Sequence, residues 1–205
     1  MDVSLDIAGL EQTIGNIPGG SIVVIKGGPD PVKSYLAQLI AAAAVVNGHS
    51  VTYLSSYGGA TAKLLFSNYF HDGAGIDFQA TNAPEMSYIH IQPDRMLVMD
   101  SFSFMVATRS IDGIKDILDK IKARVLETSS NSVMVLTADM LSPQLESMIL
   151  HYADGFLCLL EKESGEGVKR YIRIPKWMGG RSYDHNIFFN FNDNRLNVDT
   201  RYRVV

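Results

Sequence analysis

The segment between Gly27 and Ser34 has the residue types and the spacing of a site that binds phosphate groups. Its sequence, GGPDPVKS, follows an apolar run and matches the pattern G-x-x-x-x-G-K-[ST] at Gly27, Lys33 and Ser34. In such a loop the backbone N–H groups and the lysine bind phosphates, and the hydroxyl contributes to a Mg²⁺ site. The candidate cofactor-binding residues are Gly27, Gly28, Lys33, Ser34 and the adjacent Tyr35, and Ser34 is also a candidate metal ligand.

Three residues of this loop oppose phosphate binding. Val32 replaces the second glycine of the pattern, and a β-branched residue tolerates positive φ poorly. Pro31 removes a backbone N–H donor, and Asp30 places a negative charge beside the phosphates. Each change costs on the order of one to a few kcal/mol of phosphate binding. We therefore expect ATP and Mg²⁺ to bind weakly or not at all. An ordinary strand-to-helix turn with a chance Lys-Ser pair is the alternative.

Two polar residues end later apolar runs, at the strand ends where open sheets bind ligands. Asp100 ends the run RMLVMD, which is where nucleotide hydrolases place the carboxylate that holds Mg²⁺. Thr137 ends the run SVMVLT, where a polar side chain can sense the γ-phosphate. Asp100 is therefore the second candidate metal ligand, and Thr137 is a further candidate cofactor-binding residue. A strand-end aspartate alone is often only a cap.

The elements that must position these residues alternate between strand and helix patterns. The apolar spacing in Ile111–Glu127 is typical of an amphipathic helix. The other predicted helices are Lys33–Val46, Thr61–Phe70 and Pro143–His151. Strands are predicted at Ser21–Lys26, Val51–Ser55, Arg95–Asp100, Val133–Thr137, Gly155–Leu160, Arg170–Ile174 and Ile187–Phe191. The segment Gly73–Pro84 is predicted to be a loop.

This order of elements predicts an α/β fold with a mainly parallel twisted sheet, helices on both of its faces and antiparallel C-terminal strands. No internal repeat or long linker divides the sequence, so residues 1–205 are expected to form a single domain.

The charge balance disfavours a broad nucleic-acid surface, because the formal net charge is −4. Basic residues nevertheless gather late in the chain, where a local basic strip and a solvated strand face both fit. They are Lys169, Arg170, Arg173, Lys176 and Arg181.

The sequence also bears on location and on side-chain roles. No apolar run reaches the roughly 20 residues that span a bilayer, and the N-terminus lacks a signal-peptide pattern, so a cytoplasmic protein is expected.

The sole cysteine, Cys158, is expected to be a buried, inert thiol. Trp177, Tyr171 and Tyr183 fit either an aromatic surface for a partner chain or a hairpin packed on the sheet edge.

Several short motifs in the same order resemble the RecA superfamily, in its KaiC-like branch. The lead-in Ile17-Pro18-Gly19-Gly20-Ser21, the loop before Lys33, the strand VTYLS, the run MLVMDS and the tail motifs ADGF and RIPK all have counterparts there. The resemblance implies a single RecA-like phosphate-loop NTPase domain. Within that branch, the segment DSFSFMVAT is most similar to the FlaH family of archaellum accessory proteins. That similarity implies a homo-oligomer or a protein partner, in association with a membrane motor.

The departures from that family concern catalysis. KaiC-like ATPases carry a glutamate after the second strand, whereas this sequence has Ser55-Ser56, neither of which is a competent general base at neutral pH. The family's K-x-R element is Lys176-Trp177-Met178 here, without its arginine. We therefore expect a nucleotide-binding or pseudo-ATPase regulatory or scaffold subunit with little or no hydrolysis. A slow ATPase and a DNA-associated recombinase paralogue are the alternatives.

Overall fold

A computed structural model describes residues 2–4, 10–70, 73–80, 95–165, 167–178, 181–192 and 195–204. The described chain forms one nine-stranded sheet with the strand order β3-β2-β4-β5-β1-β6-β7-β8-β9. The strands are β1 (Ile22–Gly27), β2 (Ser50–Ser55), β3 (Ile76–Ala80), β4 (Arg95–Asp100), β5 (Ser132–Thr137), β6 (Gly155–Ser164), β7 (Gly167–Trp177), β8 (Arg181–Asn192) and β9 (Arg195–Val204). The helices are α1 (Leu10–Ile14), α2 (Val32–Val46), α3 (Gly59–Ser67), α4 (Phe102–Val106), α5 (Ile111–Thr128) and α6 (Pro143–Tyr152).

The predicted α/β class is confirmed. Strands β3, β2, β4, β5, β1 and β6 are parallel, and β6 to β9 continue the sheet as an antiparallel meander. Parallel strands aligned in this way bring their carboxyl ends to one edge of the sheet. Among the described residues, no helix is both long and apolar enough to cross a membrane.

Helices cover both faces of the parallel strands and enclose two apolar cores. Helix α2 packs on one face, where Val23, Ile25, Val51 and Val98 belong to the first core. Helices α4, α5 and α6 pack on the other face, which forms the second core. The buried residues of α5 are the ones that the apolar spacing predicts, namely Ile114, Ile117, Leu118, Ile121 and Val125.

Two of the C-terminal aromatic residues, Trp177 and Tyr183, are packed within the protein, as the hairpin alternative predicts. Trp177 is only 1% exposed, and its indole Nε1 donates to the carbonyl of Ile14 at 2.8 Å. The hydroxyl of Tyr183 donates to the carbonyl of Thr13 at 2.8 Å. Both side chains therefore fasten the meander to α1. Tyr171 lies on the opposite face of the sheet in an edge contact with Phe188.

Two sequence expectations need correction. The segment Gly73–Pro84, within its described part, contains strand β3, which pairs in parallel with β2. The motif IDFQA was missed because it is short and only half-buried, as an edge strand can be. Cys158 is half-buried rather than fully buried. Its burial raises the pKa of the thiol, as expected of an unreactive cysteine.

Helix α3 approaches β3 so closely that only glycine fits at the start of the helix. A Cβ on Gly59 would clash with the carbonyl oxygen of Phe78 and would lie 2.9 Å from its carbonyl carbon. The neighbouring atoms belong to the backbone of a paired strand, so they cannot move aside without disturbing the sheet.

Gly59→Ala should therefore lower the free energy of unfolding by about 1–3 kcal/mol, the usual cost of overpacking. Urea denaturation followed by circular dichroism measures this change. Ala60→Ser is the matched control, since Ala60 is exposed on the same helix. An unchanged midpoint for Gly59→Ala would show that the helix does not lie this close to β3.

Candidate functional site

A pocket of about 220 Å³ opens at the carboxyl ends of β1, β2 and β4. The loop between β1 and α2 forms one wall, and Ala62 and Leu65 of α3 form the other. Its lining residues are Pro29, Asp30, Pro31, Lys33, Ser34, Gln38, Ser55, Tyr57, Ala62, Leu65 and Asp100. The floor is polar, while Tyr57 and Leu65 add an exposed apolar rim. The pocket therefore joins three of the predicted site residues, Lys33, Ser34 and Asp100.

The absence of the second glycine does not strain the loop, because helix α2 begins at that position. Pro31 caps α2 with helical dihedrals (φ −77°, ψ −8°), and Val32 is the first helical residue. Among the described non-glycine residues, only Ser129 and Asp139 have positive φ, so Val32 is not strained. The N–H of Val32 donates to Oδ1 of Asp30 at 2.8 Å. The first backbone N–H of the helix is therefore already hydrogen-bonded to the Asp30 carboxylate.

The Lys33 ammonium is likewise held by its own loop. Lys33 is 5% exposed, and its Nζ donates to the carbonyls of Gly28 at 2.6 Å and of Asp30 at 2.8 Å. Burial lowers the pKa of Lys33, while the nearby charges of Asp30 and Asp100 oppose that shift. The cation therefore lies inside the pocket with carbonyl partners that a phosphate could replace.

Asp100 is bound through both carboxylate oxygens. Ser34 Oγ donates to Oδ1 at 2.9 Å, and the hydroxyl of Tyr53 donates to Oδ2 at 2.8 Å. Burial raises the pKa of Asp100, although these two hydrogen bonds and the charge of Lys33 oppose the shift. The peptide bond between Asp100 and Ser101 is cis. The candidate Mg²⁺ ligands Ser34 and Asp100 are thus in direct contact.

Asp100→Asn should stabilise the protein by on the order of 1 kcal/mol at neutral pH, as loss of a buried functional charge commonly does. An asparagine can still accept from one hydroxyl and donate to the oxygen of the other. The pKa of Asp100 is raised in the folded state, so its ionised form destabilises the protein at pH values above that pKa. Protonation removes this destabilisation as the pH falls through the pKa. The advantage of the variant should therefore shrink on mild acidification.

Urea midpoints at neutral and mildly acidic pH measure this difference. Asp112→Asn, which changes an exposed aspartate in the first turn of α5, is the control for general charge effects. If Asp100→Asn instead unfolds more easily at neutral pH, Asp100 is a structural cap rather than a buried charge kept for a ligand.

Two residues at the site were missed from the sequence: Gln38, which lines the pocket, and Tyr53, which does not line it but donates to Asp100. The ring of Tyr53 is fully buried on β2, and the side chain of Gln38 hydrogen-bonds to its hydroxyl. Gln38 is 3% exposed, and its Oε1 has no hydrogen-bond partner. A signal for Gln38 did exist, because a polar residue four positions after Ser34 shares its side of the helix.

The donor set suits the Mg²⁺ ion that the sequence analysis predicts. Oxygen atoms from Ser34, Asp100 and Gln38 are hard ligands of the kind that Mg²⁺ prefers. Within the described ranges, no group of three or more His, Cys, Asp or Glu residues could hold a metal ion. A Mg²⁺ ion would therefore depend on water and phosphate oxygens for most of its coordination.

The other four candidate residues do not line the pocket. Gly28 contributes its carbonyl, which accepts from Lys33. Gly27 and Thr137 lie side by side on paired strands next to the loop. The N–H of Thr137 donates to Ser103 Oγ at 2.9 Å. Tyr35 is 4% exposed and packs its ring between those of Tyr69 and Phe70, at centroid distances of 4.9 and 5.8 Å. Because neighbouring helical residues point about 100° apart, Ser34 can face the pocket while Tyr35 faces the core.

Two solved structures resemble the chain over nearly its whole length. The flagellar accessory protein FlaH from Methanocaldococcus jannaschii superposes with a TM-score of 0.80 at 19% identity, covering 97% of this chain and 98% of that one. A KaiC-like protein from the hyperthermophilic archaeon Pyrococcus horikoshii OT3 gives 0.77 at 21% identity, covering 97% and 99%. At these identities the similarity establishes the fold alone. No curated protein sequence matches the chain.

The order of the nine strands and the two superpositions show a RecA-like α/β fold. Sequence comparison adds the family. The chain belongs to DUF7125, a family of unknown function whose model matches residues 76–204.

Proposed function

We propose that this chain is a RecA-fold regulatory or scaffold subunit that binds Mg²⁺-ATP weakly at the pocket and hydrolyses it slowly or not at all. One observation carries the proposal: the phosphate-binding groups are present but already occupied by the chain itself. Lys33 binds loop carbonyls, Asp30 binds the first helical N–H, and Asp100 binds two hydroxyls. A nucleotide must displace these contacts, and that cost lowers its affinity.

In the bound state, Lys33 would contact the β- and γ-phosphates, and Ser34 and Asp100 would hold the Mg²⁺ side. The magnesium ion would supply charge neutralisation between phosphates. Among the described residues, the carboxylates that line the pocket are those of Asp30 and Asp100, and both accept hydrogen bonds from the protein. Neither is free to polarise an attacking water, so we expect binding without efficient turnover.

The setting that we propose is a complex with other proteins in the cytoplasm. A fold resembling a flagellar accessory protein supports a role beside a motor of the archaellum type, as a homo-oligomer or as a partner of the motor subunits. Purification of the native complex with chemical cross-linking tests this assignment. A monomer that cross-links to no motor component would contradict it.

A slow ATPase is the second candidate function, and the pocket itself favours it. Lys33, Ser34 and Asp100 all line the pocket, as in a working phosphate site. The Ser34 Oγ and the Asp100 Oδ1 are 2.9 Å apart. In this case turnover would depend on a group that a partner or neighbouring subunit supplies.

Calorimetric titration of the full chain with Mg²⁺-ATP, followed by a phosphate-release assay, separates these candidates. We expect a dissociation constant between about 10 μM and 1 mM, which corresponds to roughly 4–7 kcal/mol of binding. Binding without phosphate release supports the regulatory subunit, and steady release supports the slow ATPase. The absence of binding up to millimolar ATP would overturn both.

A further inference from the structure

One face of the antiparallel meander has a distinct arrangement of side chains. Strand pairing places Leu160 of β6, Tyr171 of β7 and Phe188 of β8 side by side, and all three are half-buried. They form a row that crosses the strands, which we call the apolar row. Among the described side chains of these three strands, Phe156 alone packs against the second core, and the three residues of the row are not part of that core.

Cations lie on both sides of the apolar row. Lys162 and Lys169 are paired across β6 and β7 on one side of it, and Arg173 is paired with Cys158 on the other. All three cations are exposed. Lys169 and Arg173 are each two residues from Tyr171, about 7 Å along the strand. We call the apolar row with these three cations the cationic face.

The alternation of strand residues separates the charges between the two faces of the hairpin. Glu161 and Glu163 point to the opposite face, where Arg170 pairs with Glu161. Among the described side chains of β6, β7 and β8, none on the cationic face is a carboxylate. At its border, Glu146 of α6 pairs with Lys26. An overall acidic chain thus places three cations around an apolar centre on β6 to β8, and the row ends at Phe188, which pairs with Asp199 of β9.

The placement of cations on both sides of the apolar row restricts which kinds of peptide can bind to the cationic face. An extended peptide shows only one line of side chains to a surface, since successive residues point in opposite directions. An amphipathic helix instead shows an apolar stripe with polar residues along both of its edges. A helix with acidic edges would place its stripe on the apolar row and its carboxylates against the cations on both sides.

We propose that the cationic face docks an acidic amphipathic helix of a partner protein. The complementary charges would steer the approach and fix the register, and the apolar row would supply the buried contact. This surface lies on β6 to β8 and shares no residue with the nucleotide pocket, so the proposal does not depend on nucleotide binding.

A designed helical peptide tests the proposal. Its leucine stripe is flanked on both edges by glutamates, and a second peptide has lysines in place of every glutamate. Fluorescence anisotropy with the full chain at low salt should show saturable binding of the acidic peptide only. The double variant Lys162→Glu with Arg173→Glu should weaken that binding at least ten-fold. Lys63→Glu, an exposed charge reversal on α3, should leave it unchanged.

Other outcomes overturn the proposal. Equal binding of both peptides, or binding that survives the double charge reversal, would show that the cations do not select the partner. Binding of single-stranded oligonucleotides or anionic vesicles in preference to the acidic peptide would assign the face to a different class of partner. A chain that fails to bind Mg²⁺-ATP but binds the acidic peptide would contradict only the proposed nucleotide function.

Discussion

Asp30→Asn should strengthen Mg²⁺-ATP binding by about ten-fold, which is equivalent to roughly 1.4 kcal/mol. The Asp30 carboxylate now accepts the N–H of Val32 and lies beside the Lys33 ammonium, in the region that phosphate charges would enter. Removing one negative charge a few ångströms from an anionic ligand is worth on the order of 1–4 kcal/mol near a protein surface, before salt screening reduces it. Asparagine keeps the side-chain oxygen that accepts from Val32, so the loop should retain its shape.

Calorimetry of the two chains side by side measures the change. Asp139→Asn is the matched control, because Asp139 is an exposed aspartate just beyond β5 at the same edge of the sheet. Its effect on the affinity should be small. The gain for Asp30→Asn should also decline as salt concentration rises. An unchanged or weaker affinity for Asp30→Asn would mean that the Asp30 charge does not limit binding, and that the pocket has degraded elsewhere.

The sequence predicts well the elements whose apolar pattern follows directly from the number of buried faces, one for an amphipathic helix and two for a central strand. Helix α5 is recognisable because one stripe of apolar residues faces a core while its other residues are exposed. The four central strands are recognisable because each is buried on both faces and so forms a short apolar run. Helix α2 ends at Val46, as the predicted range does, and Gly48 just beyond it has the positive φ of a helix terminus.

The elements that the sequence did not predict depend on tertiary contacts. Strand β3 pairs with β2 and is approached closely by α3 at Gly59, and no local pattern in IDFQA reveals these contacts. Helix α1 is a five-residue turn held by Trp177 and Tyr183, residues more than 160 positions away. Strand β9 pairs only with β8 at the edge of the sheet.

The same distinction applies to the site. Lys33, Ser34 and Asp100 were predictable because spacing and strand ends place them, and parallel strands bring those ends together. Tyr53 was not predictable as a partner of Asp100, since that contact requires the register between β2 and β4. The cationic face was predicted in part, because Lys169 and Arg173 belong to the basic residues that gather late in the chain. The place of Lys162 beside Lys169 requires the register between β6 and β7.

Lys33→Met should abolish measurable Mg²⁺-ATP binding, a loss of at least about 100-fold, or roughly 2.7 kcal/mol. Within the part of the chain that the structure describes, Lys33 is the only cation that lines the pocket. Its methionine substitute keeps an apolar stem in the same place but cannot neutralise or donate to a phosphate. Stability should change little, because the lost hydrogen bonds are balanced by removal of a buried charge whose pKa is already lowered by burial.

Lys26→Met is the matched control, since Lys26 lies on the preceding strand and pairs with Glu146 outside the pocket. It should bind Mg²⁺-ATP like the unmodified chain. Calorimetry measures both affinities, and urea midpoints show whether either variant has lost stability. If Lys33→Met is folded and still binds normally, the nucleotide does not use this loop. The contacts of Lys33 with Gly28 and Asp30 would then be purely structural, and the RecA-like fold would serve this family through its surfaces rather than its phosphate loop.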